Sequence, residues 1–198
     1  MTKAARLTLI AMSLLGLGTV AQAAGGPAGI ARDPVRAVSR IVEKQAVNPP
    51  FAHILFCARN PGECRDNRGE SVVSLTPERF KELTTLNRKV NRTIRGRNDS
   101  GEQLNGDLWE VNVKSGDCED FALTKRSRLL SMGWSSRALR IAKAYTRAGE
   151  GHAVLVVRTD RGDLVLDNRF NSIKPFEKTD LRMEMIQSEA DPLVWYQL

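Results

Sequence analysis

The sequence predicts an α+β protein, with helices in the first part of the chain and an antiparallel sheet in the second. Three observations point there. "LTPERFKELTTLNRKVNRTI" has helical apolar spacing, "SGDCEDFALTKRSRLLSMGW" opens and closes like a second helix, and "ALRIAKAY", "HAVLVVRT" and "DLVLDN" follow as short strand-like runs. The 198 residues suffice for one domain with a sizeable core and are short for two. With 41% hydrophobic and 27% charged residues, the composition is globular rather than disordered.

The chain begins with "MTKAARLTLIAMSLLGLGTVAQA". Lys3 and Arg6 precede an apolar run from Leu7 to Val20, and Ala21-Gln22-Ala23 supplies a small-x-small triplet. This is the three-part pattern of a secretory signal peptide. The run is shorter than the roughly 20 residues a membrane span needs. Residues 1–23 are therefore expected to be removed, leaving a periplasmic or secreted chain of residues 24–198. No later segment is apolar enough to cross a membrane. Ala24 to Pro50, glycine-rich at its start, reads as a mobile entry segment with room for a short helix near Val35 to Lys44.

"FCARNPGEC" follows. Pro61 and Gly62 can turn the chain back, so a Cys57–Cys64 disulfide is predicted for an oxidising compartment. That leaves Cys118 as the free thiol. In the first clear helix Thr76 suits the N-cap, Pro77 the first helical position and Glu78 the first turn. Phe80, Leu83, Leu86, Val90 and Ile94 would form its buried face. "RGRNDSGEQLNGD" breaks the pattern as a loop. The second helix starts after Ser115 or Asp117 as cap, which puts Cys118 in its first turn. Phe121, Ala122, Leu129 and Leu130 can share its buried face, and Gly133 offers a stop. In the strands beyond, "TDRG" supplies hairpin turn chemistry.

The formal charge is +7, and removal of the signal leaves 28 basic against 23 acidic residues, a net +5. Arg88, Lys89, Arg92, Arg95 and Arg97 cluster without interleaved aromatic or base-reading side chains, which argues against nucleic-acid binding. A solvated helix face is the plain reading; attraction to an acidic surface or an anionic envelope polymer is the other.

The chemistry concentrates at "SGDCEDF". A helix N-terminus lowers a thiol's pKa and favours the thiolate. A histidine can then act as base and a third polar group can orient it. The chain has two histidines, His53 and His152. A hairpin turn centred on Asp160 and Arg161 pairs residues so that His152 faces Arg169, with Asp167 as its diagonal neighbour on the same face. A turn one residue longer would separate them onto opposite faces. Without that register, His152 reads as a structural histidine and Asp167 as a strand-end aspartate. Cysteine on a helix start, followed by histidine and aspartate on successive strands, is the arrangement of papain-like and transglutaminase-like enzymes, with the nucleophile helix packed on the sheet.

"LNRKVNRTI", "GDLW", "GDCEDFALTKRSRLLSMGW", "ALRIA", "GEGHAVLVVRTDRGDLVLDN" and "DPLVWYQL" together resemble the bacterial transglutaminase-like cysteine proteinases, the family that includes the LapG-type periplasmic proteases. The match runs from about Leu86 to the C-terminus. The short Trp109–Gly116 spacing looks like a compact branch. The resemblance implies a cysteine peptidase with Cys118 as nucleophile, His152 as general base and Asp167 as orienting acid. It implies a calcium site at Asp117 and Glu119, with Asp120 as either a further ligand or a cap. Physical reasoning agrees on the cation: three carboxylates should raise the thiol's pKa, and a divalent ion with a taste for hard oxygen would offset them. The same acids could instead simply favour the positive end of the helix.

A protein or peptide of the cell envelope is the expected substrate, and an inner-membrane regulator is a further partner known among LapG-type members. Trp109 either lines the substrate groove or packs beneath the active-site helix. Trp134 and Trp195 read as core or surface anchors. Two other functions stand beside a peptidase: a transglutaminase or peptidoglycan amidase on the same fold, and a non-catalytic calcium-responsive binding module.

Overall fold

The computed structural model describes residues 38–65, 68–99 and 107–198. The expected signal peptide lies outside them, as does the entry segment up to residue 37. The described chain runs β1 (Ala46–Val47), α1 (Phe51–Arg59), α2 (Pro61–Arg65), α3 (Pro77–Thr93), β2 (Arg95–Gly96), β3 (Ser115–Gly116) and α4 (Cys118–Ser131). It continues with β4 (Leu139–Tyr145), β5 (Gly151–Thr159), β6 (Gly162–Leu166), β7 (Lys174–Pro175), β8 (Arg182–Gln187) and β9 (Trp195–Gln197). Seven strands form one antiparallel sheet in the order β1-β9-β8-β4-β5-β6-β7. β2 and β3 pair in parallel as a separate two-stranded ribbon.

The two predicted helices form for local reasons. Thr76 Oγ1 accepts a hydrogen bond from the Arg79 N–H at 3.2 Å and caps α3, with Pro77 at its first position. Leu83, Leu86, Val90 and Ile94 are buried as their spacing requires, but Phe80 is 43% exposed. It lies one turn nearer the N-terminus, where the helix has moved beyond the core. α4 begins at Cys118, with Asp117 in extended conformation as its cap residue, and Gly133 ends it at φ +84°.

The β5–β6 hairpin has the register on which the sequence reading depended. Thr159 pairs with Gly162 and Leu155 with Leu166 across the Asp160–Arg161 turn. The strands are buried on both faces. Leu155, Val157, Leu164 and Leu166 join the larger core with residues of α1, α3 and α4, while Val154, Val156 and Val165 pack on the far side with Ile41 and Ile186.

Residues 38–50 are not the loose segment expected, and residues 38–44 form no helix. The Ile41 N–H donates to Asp163 Oδ2 at 2.7 Å, the Lys44 N–H donates to the Gln197 carbonyl, and β1 extends the sheet beyond β9. Long-range pairing overrides the weak local pattern here. Cys57 and Cys64 are joined by a disulfide that ties α1 to α2. No helix among the described residues is long and apolar enough to cross a membrane.

Candidate active site

A cavity of about 720 Å³ opens where α4 begins, and Cys118 and His152 both line it. Its other walls include Gly96, Arg97 and Asn98 after α3, Gly116 and Asp117 before α4, and Asn168 and Arg169 after β6. The β2–β3 pairing brings these segments together: Gly96 lies opposite Gly116, two residues before the cysteine. Gly116 itself leaves no room for a side chain, since a Cβ there would come within 2.0 Å of Asp120 Oδ2. Asp120 is buried, and its Oδ1 accepts a hydrogen bond from the Glu110 N–H at 2.7 Å. It therefore anchors the 107–112 segment against the helix start instead of facing the cavity.

His152 and Asp167 meet as the hairpin register requires. The imidazole Nε2 donates to Asp167 Oδ1 at 2.9 Å, and both side chains are buried. With Nε2 engaged, Nδ1 is the ring nitrogen left to serve the thiol. Burial opposes charge on Asp167, yet the His152 hydrogen bond and the Arg169 guanidinium outweigh it and hold this carboxyl well below the usual carboxylate range. Arg169 also contributes its backbone N–H to Asp167 Oδ1 and takes Asp180 on its outer side at 2.7 Å. Asn91 of α3 donates to the Asp167 carbonyl at 3.1 Å. Sequence reading missed Asn91, Arg169 and Asp180. Arg169 stands opposite His152 in the expected register, and that position was the available signal. The other two come from distant segments, with no periodicity to reveal them.

The thiol has an acid as its hydrogen-bond partner. Cys118 Sγ donates to Glu119 Oε2 at 2.9 Å. Burial first, and then the Glu119 charge and hydrogen bond, push the thiol far up; the Ala153 N–H, aimed at the sulfur, only partly offsets them. The neighbouring acids repel one another. Burial and Glu119 together push Asp117 up to about 8, with Asp120 and Asp99 adding to the effect. Burial also pushes Asp120 up to about 7 and raises Asp107.

This donor set suits a hard divalent cation: partly buried carboxyl oxygens, with Asp117 and Asp120 pushed up by burial and by the neighbouring acids. They are not a closed cage. Among the described residues, the one trio of possible ligand atoms within 4.8 Å of one another is His53, Cys57 and Cys64, and its two sulfurs form the disulfide. Asp99 and Asp107 are partly committed, accepting from the Leu108 N–H and from Trp109 Nε1. Glu119 and Asp117 are the acids whose charges act on the sulfur.

Trp109 is a core residue and not a groove wall. It is 1% exposed, does not line the cavity and sits edge-on to His53 and Trp195. His53 is buried behind it, where burial and the Arg126 charge pull its pKa down to about 4. It packs on the disulfide side of the core, remote from the roles assigned to His152.

The family model described as bacterial transglutaminase-like cysteine proteinase matches residues 43–198. Among solved structures, calcium-bound Legionella pneumophila LapG is 25% identical, with a TM-score of 0.49, over 62% of this chain and 71% of that one. A second structure of the same protein is 27% identical over 57% and 65%, and an EGTA-treated form 28% identical over 57% and 64%, each with a TM-score of 0.45. Comparison with curated proteins gave no match.

Proposed function

The chain belongs to the bacterial transglutaminase-like cysteine proteinases, and from that premise we propose that it is an exported peptidase whose Cys118, His152 and Asp167 cut a cell-envelope protein. The observation that supports this best is the 2.9 Å His152–Asp167 hydrogen bond in the cavity that also holds the free thiol. A structural histidine would not need a buried, ionised carboxylate on one nitrogen and an open cavity beside it.

In the reaction, His152 Nδ1 takes the Cys118 proton and the sulfur attacks the peptide carbonyl, forming a tetrahedral oxyanion. The Cys118 backbone N–H, at the first position of α4 and so without an intrahelical partner, would stabilise that oxyanion. Asp167 holds the imidazole in the required tautomer and stabilises the imidazolium. The imidazolium then protonates the leaving amine. Water, deprotonated by the same nitrogen, hydrolyses the thioester and releases the thiol.

Asp117 and Glu119 would hold a calcium ion, which would supply positive charge to offset the acids around the sulfur. Glu119 accepts the Cys118 thiol hydrogen bond, so a cation held there would compete for the same oxygen and would bear on whether the proton is available to His152. Activity that is indifferent to a chelator, in protein free of metal, would remove calcium from this account.

The direct test is to compare protein N-termini in the envelope and medium of cells carrying wild-type enzyme or Cys118→Ala. New N-termini present with the wild type and missing with the variant identify the substrate and the bond. Identical profiles, with both proteins exported and folded, would refute an envelope peptidase. An inner-membrane regulator belongs to the same proposal and is tested by capture of the intact Cys118→Ala protein on membranes.

A further inference from the structure

Lys125 is fully buried, at 0% exposure. It lies on α4, seven residues after Cys118 and so almost two full turns further along the same face. Side chains on a helix lean towards its N-terminus, so Lys125 reaches back towards the cysteine end. Its Nζ donates to the Leu166 carbonyl at 3.5 Å. Leu166 ends β6, and the next residue is Asp167.

A buried ammonium is expensive, and helix–sheet packing does not call for one. The buried face of α4 carries Phe121, Ala122, Leu123 and Leu129, and beside them the polar Asp120, Thr124 and Arg126, of which Thr124 and Arg126 flank Lys125 and are held by the Asn112 N–H and by the Leu139 and Glu63 carbonyls. Burial pulls the Lys125 pKa down to about 7, and the one charge acting against that pull is Asp167. Asp167 is itself faced by His152 and Arg169. The lysine reaches the backbone carbonyl just before the acid, a contact the mechanism does not use.

We propose that Lys125 is a positioning residue, which fixes the Leu166–Asp167 end of β6 onto the nucleophile helix so that the His152–Asp167 pair keeps its register with Cys118. This rests on the triad reading. The nucleophile and the acid come from segments about fifty residues apart in sequence, and only tertiary contacts hold them together. Asn91 fixes the Asp167 carbonyl from α3, and Arg169 fixes its carboxylate from the following loop. Lys125 supplies the contact from the helix that carries the thiol.

The test replaces Lys125 with methionine, which matches its length and lacks both charge and donor, and with glutamine, which keeps a donor. One readout is the low-field proton resonance of the His152 Nε2–H bonded to Asp167. The other is the rate of Cys118 alkylation by iodoacetamide at one fixed pH, with His152→Ala as reference. In folded Lys125→Met the resonance should broaden or move, and alkylation should fall about tenfold towards the His152→Ala rate, the scale of a sub-ångström misplacement. Lys125→Gln should retain more of both.

An unchanged resonance and an unchanged rate in folded Lys125→Met would overturn the proposal. If Lys125→Met does not fold, Lys125→Gln is judged by the same two readouts. Should His152→Ala alkylate like the wild type, the triad reading fails, while the resonance still decides whether Lys125 positions the acid.

Discussion

Glu119→Gln should make the Cys118 thiol more reactive. Glu119 Oε2 lies 2.9 Å from Cys118 Sγ and is the first charge acting against the thiolate. Two unit charges 4 Å apart interact by about 4 kcal/mol at an effective dielectric of 20. Glu119 is only partly buried, and water screens such a pair, so roughly a third of that, about 1.4 kcal/mol, is a fair expectation. This corresponds to about one pKa unit and a tenfold larger thiolate fraction below the thiol's pKa. Glutamine keeps the shape and removes the charge.

The assay is the second-order rate of iodoacetamide alkylation between pH 6 and 9, in chelator and in calcium. In chelator the variant should react about tenfold faster than the wild type. Calcium should accelerate the wild type and leave the variant nearly unchanged, because the charge to be neutralised has gone. If Glu119→Gln reacts as slowly as the wild type in chelator, Glu119 is not what holds the proton, and the calcium account of this site falls with it.

Three further outcomes follow from the same geometry. Arg169→Met removes the guanidinium from Asp167 and should lower alkylation of Cys118 and turnover of the substrate by about tenfold or more, with Asp180→Asn costing less. Without cation, the melting temperature should fall as pH rises from about 4 to 8: the Asp117 carboxyl, pushed up to about 8, binds its proton in the folded state over that range while the unfolded chain has lost it. Calcium should flatten that slope, and an equally flat slope in chelator would contradict the burial and repulsion assigned to Asp117. Replacing Cys57 and Cys64 together by serine should cost about 2–3 kcal/mol in urea unfolding, the loop-closure value for so short a span. Reductant should produce the same loss in the wild type and none in the double variant.

Much of this site could be read from local signals. A cap and a helical period place Cys118 at a helix start; a two-residue turn and a period of two place His152 and Asp167 on one sheet face. Each rule acts within a few residues, where backbone geometry limits the choices to two or three. The same locality made Phe80 look buried, because the period gives a face and does not say where the core ends. Trp109 failed as a groove residue for a related reason: an aromatic before the nucleophile fits either side of the loop, and its packing on His53 and Trp195 decides.

The sequence by itself determined the α+β order, the free thiol, the hairpin register and the acids around the cysteine, since all of these follow from neighbouring residues. Only the tertiary structure decided that Glu119 accepts the thiol hydrogen bond, that Asp120 faces Gly116 and the Glu110 N–H, and that residues 46–47 add a strand beyond β9. It also gathered Asn91, Lys125, Arg169 and Asp180 around one carboxylate and its strand end. Long-range contacts of this kind follow from the packing of α3 and α4 against β5 and β6, and no local period encodes them.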